Sequence, residues 1–191
     1  MTVHFVHGIL TEPTSPVRGL LPYLVEAGLP AAYPDYGYEL VVEVKTVNPM
    51  IVGALTPYIQ PGDIGVGHSN GCAILYDLLQ AGAPFSKLVF INGALETNFL
   101  LPPSLKSLDV YWNVGDDITE AAAIAQRLGW VDKNWGELGH SGYTGKDPRV
   151  TNFNCGATTD MPVVSGHSDF FSPLKLAQWA PFLAKRLMPL S

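Results

Sequence analysis

Charge is scarce in this chain. Only 15% of its 191 residues are Asp, Glu, Lys or Arg and the formal net charge is −6. No Lys/Arg stripe interleaved with aromatics occurs, so a phosphate backbone would find little to pair with, and nucleic acid is not an expected partner. Cysteine is scarcer still. The two present, Cys72 and Cys155, match neither a disulfide framework nor a zinc site and are expected as free thiols. No segment runs far enough without Gly, Pro or charge to span a bilayer, which argues against integral membrane association. The first residues, "MTVHFVHG", lack the positive and then apolar pattern of an export signal, which favours a cytoplasmic setting. Internal repeats, low-complexity tracts and the phosphate loop G-x-x-x-x-G-K-[ST] are also missing.

What the chain has is apolar bulk, at 47% of residues, in short runs that alternate with helical patterns. That alternation predicts one α/β domain over residues 1–191, a mostly parallel sheet of about six strands with helices on both faces. Strands are expected at Val3–Val6, in "YELVVEVK" from Tyr38, at Ile64–Val66, and in "KLVFING", "LDVYWNV" and "RVTNFNC". Helices are expected from Ser15 to Ala27 with Gly28 as the stop, after an Asn48 cap with Pro49 in the first turn, after Ser69, from Glu120 to Leu128, and from Pro173 to Met188 with a break near Pro181.

The chemistry concentrates in "GHSNG". Gly67 and Gly71 flank Ser69 two residues away on each side, between a strand and a helix, forming G-x-S-x-G. A serine there sits on a sharp, strained turn. Side chains at the flanking positions would strike the strand and helix, so glycine is required. The turn leaves the Asn70 N–H at a helix N-terminus, where developing negative charge is favoured. Gly65 and Gly67 also begin a G-x-G-x-x-G, but Asn70 holds the place of its last glycine, which weakens a dinucleotide reading.

A serine hydroxyl needs a base, a group that orients the base, and a second oxyanion donor. "GDDIT" offers Asp116 or Asp117 after a late strand, His167 follows in "GHSDFF", and His7-Gly8 after the first strand would present the N–H of Ile9. The order Ser, Asp, His suits a nucleophile elbow. Together "FVHG", "GHSNG", "GDDIT" and "GHSDFF" resemble the α/β-hydrolase family of serine esterases and lipases, over nearly the whole chain.

That resemblance implies Ser69 as nucleophile, His167 as base and then acid, Asp116 as orienting group with Asp117 the alternative, and Ile9 and Asn70 as oxyanion donors. It implies a three-layer α/β-hydrolase fold without the family's first two strands, similar to the minimal lidless bacterial lipases and the cutinases. The implied activity is cleavage of a small-molecule or lipid-like carboxylic ester through an acyl-enzyme, with no cofactor. One departure is Asn113, which stands where the acid motif usually has glycine.

His140 in "LGHSGYTG" is the rival base, but it precedes the last strand, whereas the base of this architecture follows it. His4 and His7, three apart on a strand, point to opposite faces, so a metal pair is not expected. Phe99, Leu100 and Leu101, in an apolar stretch after "KLVFING", are candidates for a substrate wall, with plain packing beneath the loop as the alternative. A thioesterase, an amidase or a glycan deacetylase would use the same groups, and a non-catalytic binding module could keep the fold.

Overall fold

In the computed structural model, residues 1–8, 16–34, 36, 44–129, 131, 135–156 and 163–188 are described. Six strands, β1 (Val3–Val6), β2 (Ala31–Ala32), β3 (Ile64–His68), β4 (Lys87–Ile91), β5 (Ser107–Trp112) and β6 (Val150–Asn154), form one sheet in the order β2-β1-β3-β4-β5-β6. Every pairing is parallel, with Val3 opposite Ile64 and Ile64 opposite Lys87 in the centre. The helices are α1 (Leu21–Glu26), preceded by a 3-10 turn at Pro16–Leu20, α2 (Val44–Leu55), α3 (Asn70–Gln80), α4 (Asp117–Arg127), α5 (Leu138–Ser141) and α6 (Pro173–Leu187).

The strand period of two divides the core into layers. Leu88, Phe90, Leu108 and Val110 pack against α2 and α3, while the intervening Val89, Ile91 and Tyr111 join Val3, Phe5 and the buried stripe of α6 on the other face. Gly65 and Gly67 lie on the α3 face of β3. A Cβ at Gly65 would stand 2.8 Å from the Leu75 side chain, and one at Gly67 would stand 2.9 Å from the Cys72 nitrogen, so glycine lets α3 lie directly on the strand. Cys72 and Cys155 are both free and buried, and burial pushes the Cys155 thiol up to about 12, leaving it uncharged and unreactive.

Three sequence expectations are corrected. The predicted strand "YELVVEVK" ends inside a helix, since Val44 and Lys45 open α2; its residues 38–43 lie outside those described, and β1 pairs with the two-residue Ala31–Ala32 as well as with β3. Asn48 is not a cap, nor is Pro49 in the first turn, because Val44, Asn48 and Ile51 set a buried stripe that begins the helix earlier. Pro181 does not break the last helix either. Pro49 and Pro181 are both exposed. On the solvent side a carbonyl deprived of its helical N–H partner can bond water, while Trp179, Leu183 and Leu187 hold α6 to the sheet. Among the described residues no helix is long and apolar enough to cross a membrane.

Candidate active site

The strand order reverses between β1 and β3, and at such a switch point the carboxyl ends of neighbouring strands leave a crevice. Ser69 stands there, between the last residue of β3 and the first of α3. Its φ of 57° and ψ of −128° lie in a region that L-residues rarely adopt, at a cost of about 1–3 kcal/mol. Close contact on all sides holds it. A Cβ at Gly71 would meet the Val6 carbonyl oxygen at 2.0 Å, and one at Gly8 would meet the Ser69 Cβ at 2.6 Å. The glycines predicted around the serine are therefore required sterically, and Gly8 brings the end of β1 against it.

Asn70 is fully buried, and its amide is locked at both ends. Its Nδ2 donates to the Asn48 Oδ1 at 2.9 Å, while its Oδ1 accepts from the Asn48 Nδ2 and the Trp135 indole N–H, each at 3.0 Å. The first residue of α3 is thus fixed through its side chain, and its backbone position with it. Ile9, the other predicted oxyanion donor, lies outside the described residues.

Asp116 caps α4, accepting from the Thr119 N–H at 3.1 Å, and is wholly buried. His167 Nδ1 lies 2.9 and 3.0 Å from its two oxygens and donates to them. Asp117, the alternative acid, is exposed in the first turn of α4. On the other side of His167, the His68 Nε2–H donates to the His167 carbonyl at 3.0 Å, and the two imidazole centroids are 4.7 Å apart. The residue next to Ser69 therefore holds the residue that Asp116 orients. Burial and the neighbouring His167 push His68 down to about 3, so it stays neutral and adds no charge opposing a protonated His167.

His140 lies in α5, and its Nδ1 is buried without a hydrogen-bond partner. Among the described residues, no hydrogen bond joins it to a carboxylate. The neighbouring Gly139 does touch the site, since a Cβ there would come within 2.4 Å of an Asp116 oxygen. Phe99 and Leu101 are core side chains, Phe99 packing its ring 5.0 Å from Tyr143 and 5.1 Å from Tyr76, while Leu100 is 84% exposed. An apolar cavity of about 270 Å³ lies elsewhere, between β1 and the α2–α3 layer, lined by Val6, Tyr33, Leu75 and Phe85 among others. Among the described residues, no group of three or more His, Cys, Asp or Glu side chains could hold a metal ion.

Sequence reasoning passed over Asn92 and Trp135, took Asn48 only as a helix cap, and took Asn113 only as a departure from a motif. The available signals were slight: "NP" before the elbow, and "ING" and "NVG" where strands end.

Against solved structures, the chain superposes on a pyrethroid hydrolase from Sphingobium faniae JZ-2 with a TM-score of 0.58 at 12% identity, covering 98% of this chain and 97% of that one. The fold is that of the α/β-hydrolases. A hydrolase of the α/β superfamily from Xanthomonas campestris pv. campestris matches with a TM-score of 0.53 at 14% identity, over 96% of this chain and 98% of the other. The chain spans 42% of an extracellular α/β-hydrolase from a Paenibacillus species, using 50% of its own length, at 16% identity and a TM-score of 0.42. No family model and no curated protein sequence matches it.

Proposed function

We propose that the protein is a serine hydrolase that cleaves a carboxylic ester of a small or lipid-like molecule through an acyl-enzyme. One observation carries this reading: His167 is bonded to buried Asp116 through Nδ1 and tied through its carbonyl to His68, the residue beside Ser69. With Nδ1 occupied, Nε2 is the nitrogen that takes the Ser69 proton as Oγ attacks the ester carbonyl. The tetrahedral oxyanion is received by the N–H of Asn70 at the start of α3, where the helix dipole favours it, and by the N–H of Ile9. His167 then returns the proton to the leaving alcohol. In the second half it activates water, and the acid product departs. That the same fold carries a pyrethroid hydrolase fits a hydrolytic role. Neither a cofactor nor a metal enters the scheme.

The base must be neutral when Ser69 attacks, because only an unprotonated Nε2 can take the hydroxyl proton. The test is hydrolysis of a panel of esters, thioesters and amides of matched acyl length by the parent and by Ser69→Ala. Ester turnover in the parent that vanishes in the variant is expected. Ester turnover that survives in Ser69→Ala, or a parent that cleaves only thioesters or amides, would overturn the assignment.

A further inference from the structure

We propose that Asn92 and Asn113, at the ends of β4 and β5, are positioning residues for the base: their buried side-chain amides clamp the Gly166–His167 backbone and so hold the His167 imidazole on Asp116. For catalysis this rests on the serine hydrolase reading. Its geometric content stands apart from that reading.

Both asparagines are fully buried. Asn92 follows β4 with a φ of 44°, a left-handed conformation that asparagine tolerates better than most residues. Its Nδ2 donates to the His167 carbonyl at 2.7 Å and to the Gly166 carbonyl at 3.2 Å. Asn113 follows β5. Its Oδ1 accepts from the Gly166 and Gly115 N–H groups, each at 3.1 Å, and its Nδ2 donates to the Asn92 Oδ1 at 3.2 Å and the Gly166 carbonyl at 3.3 Å. All these side-chain bonds end on the base loop, on the other asparagine, or on Gly115 beside the acid. With the His68 bond, the His167 carbonyl receives two donors.

A loop needs such help here. Gly166 has a φ of +87°, and the loop approaches Gly115 so closely that a Cβ on Gly115 would lie 3.2 Å from the Gly166 nitrogen. Asp116 restrains His167 only through the ring Nδ1, so the peptide behind the ring must be fixed separately. Strands β4 and β5 are central in the sheet and give the two amides a rigid base. A displacement of about 1 Å at a reacting group can cost ~10²-fold in rate.

Asn92→Gly removes one amide while allowing the left-handed backbone. Asn113→Asp keeps the oxygen that accepts from Gly115 and Gly166 but turns the donor into a second acceptor facing the Asn92 Oδ1 and the Gly166 carbonyl, so it breaks the clamp from the other side and serves if the first does not fold. Three readouts are compared with the parent: kcat and KM on a simple ester, the rate of Ser69 phosphonylation by a fluorophosphonate, and the tautomer of His167 from its imidazole 15N shifts. The proposal expects kcat and phosphonylation to fall about 10- to 100-fold in Asn92→Gly, with KM nearly unchanged. The Nδ1–H tautomer should give way to a mixture, and Asn113→Asp should move the same way. A folded Asn92→Gly, or failing that a folded Asn113→Asp, with parental tautomer and parental phosphonylation rate would overturn it. If the parent neither turns over esters nor is phosphonylated, the hydrolase reading fails, and the tautomer comparison alone decides whether the asparagines position the ring.

Discussion

Among the described residues, two histidines are bonded to a buried aspartate, one at each end of the sheet, and their surroundings set them apart. At the carboxyl ends of the strands, His167 and Asp116 stand 2.9 Å apart; at the amino ends, His4 Nε2 lies 2.8 Å from the Asp63 Oδ2. The bond lengths are the same, but the surroundings are not. Asp63 also accepts from the Thr2 N–H at 2.7 Å and the Gln60 N–H at 2.9 Å, so its carboxylate ties the entries of β1 and β3 together, and His4 turns an edge toward Phe85 beside the apolar cavity. His167, by contrast, is held through its backbone by His68, Asn92 and Asn113, next to a strained serine at a helix N-terminus. A histidine–carboxylate pair is therefore only part of a catalytic arrangement. The strained nucleophile and the oriented donors beside it give the pair at the carboxyl end its proposed function.

Substitutions can break the comparison at each end. The largest effect is expected from Ser69→Ala and His167→Ala, each lowering ester turnover on the order of 10⁴- to 10⁶-fold, with the unfolding midpoint in denaturant close to the parent's in Ser69→Ala. His4→Ala should do the reverse. It leaves Asp63 with one bond fewer in a buried position, so the unfolding free energy should fall by about 1–3 kcal/mol while kcat/KM is kept.

Acid sharpens the same contrast. Burial raises the Asp63 carboxyl, but hydrogen bonds from the Gln60 N–H, from His4 and from the Thr2 N–H outweigh it and hold the group below the usual carboxylate range. A carboxyl depressed in the folded state stabilises the fold above its unfolded pKa of about 3.9, and that stability is lost as pH falls through the lower folded value. The stability gap between the parent and Asp63→Asn should thus be full at neutral pH and narrow below about pH 4, as followed by urea unfolding across pH. The smallest effect is expected from His140→Ala, with phosphonylation of Ser69 within about twofold of the parent, since among the described residues no hydrogen bond joins that ring to a carboxylate.

Much of this was legible in the sequence, for reasons that can be located. The elbow was readable because its sterics allow few residues: only glycine fits where Gly67 and Gly71 meet backbone at under 3 Å. The strands of the sheet centre were readable because burial on both faces leaves a continuous apolar run, as in "KLVFI". The edge was not. Ala31–Ala32 has no side-chain signature, while the β-branched Val44, at the end of an apolar run, suggested a strand where tertiary packing makes a helix. The prolines misled for a related reason: Pro49 and Pro181 break helices only where the orphaned carbonyl cannot reach water, and exposure is a property of the folded molecule. Asn92 and Asn113 escaped because asparagine at a strand end reads as a turn residue, and Asn48 before a proline reads as a helix cap. Nothing local reveals that their amides meet a loop 74 residues away or a helix start 22 residues away.

The central claim is that Ser69 is a nucleophile activated by His167 on Asp116. The most direct measurement is phosphonylation by a fluorophosphonate with peptide mapping, on the parent and on Ser69→Ala, His167→Ala and His140→Ala. The account predicts modification of the parent at Ser69, lost in Ser69→Ala and His167→Ala and retained in His140→Ala. A folded parent that is not modified, or modification of Ser69 that persists without His167, would contradict it.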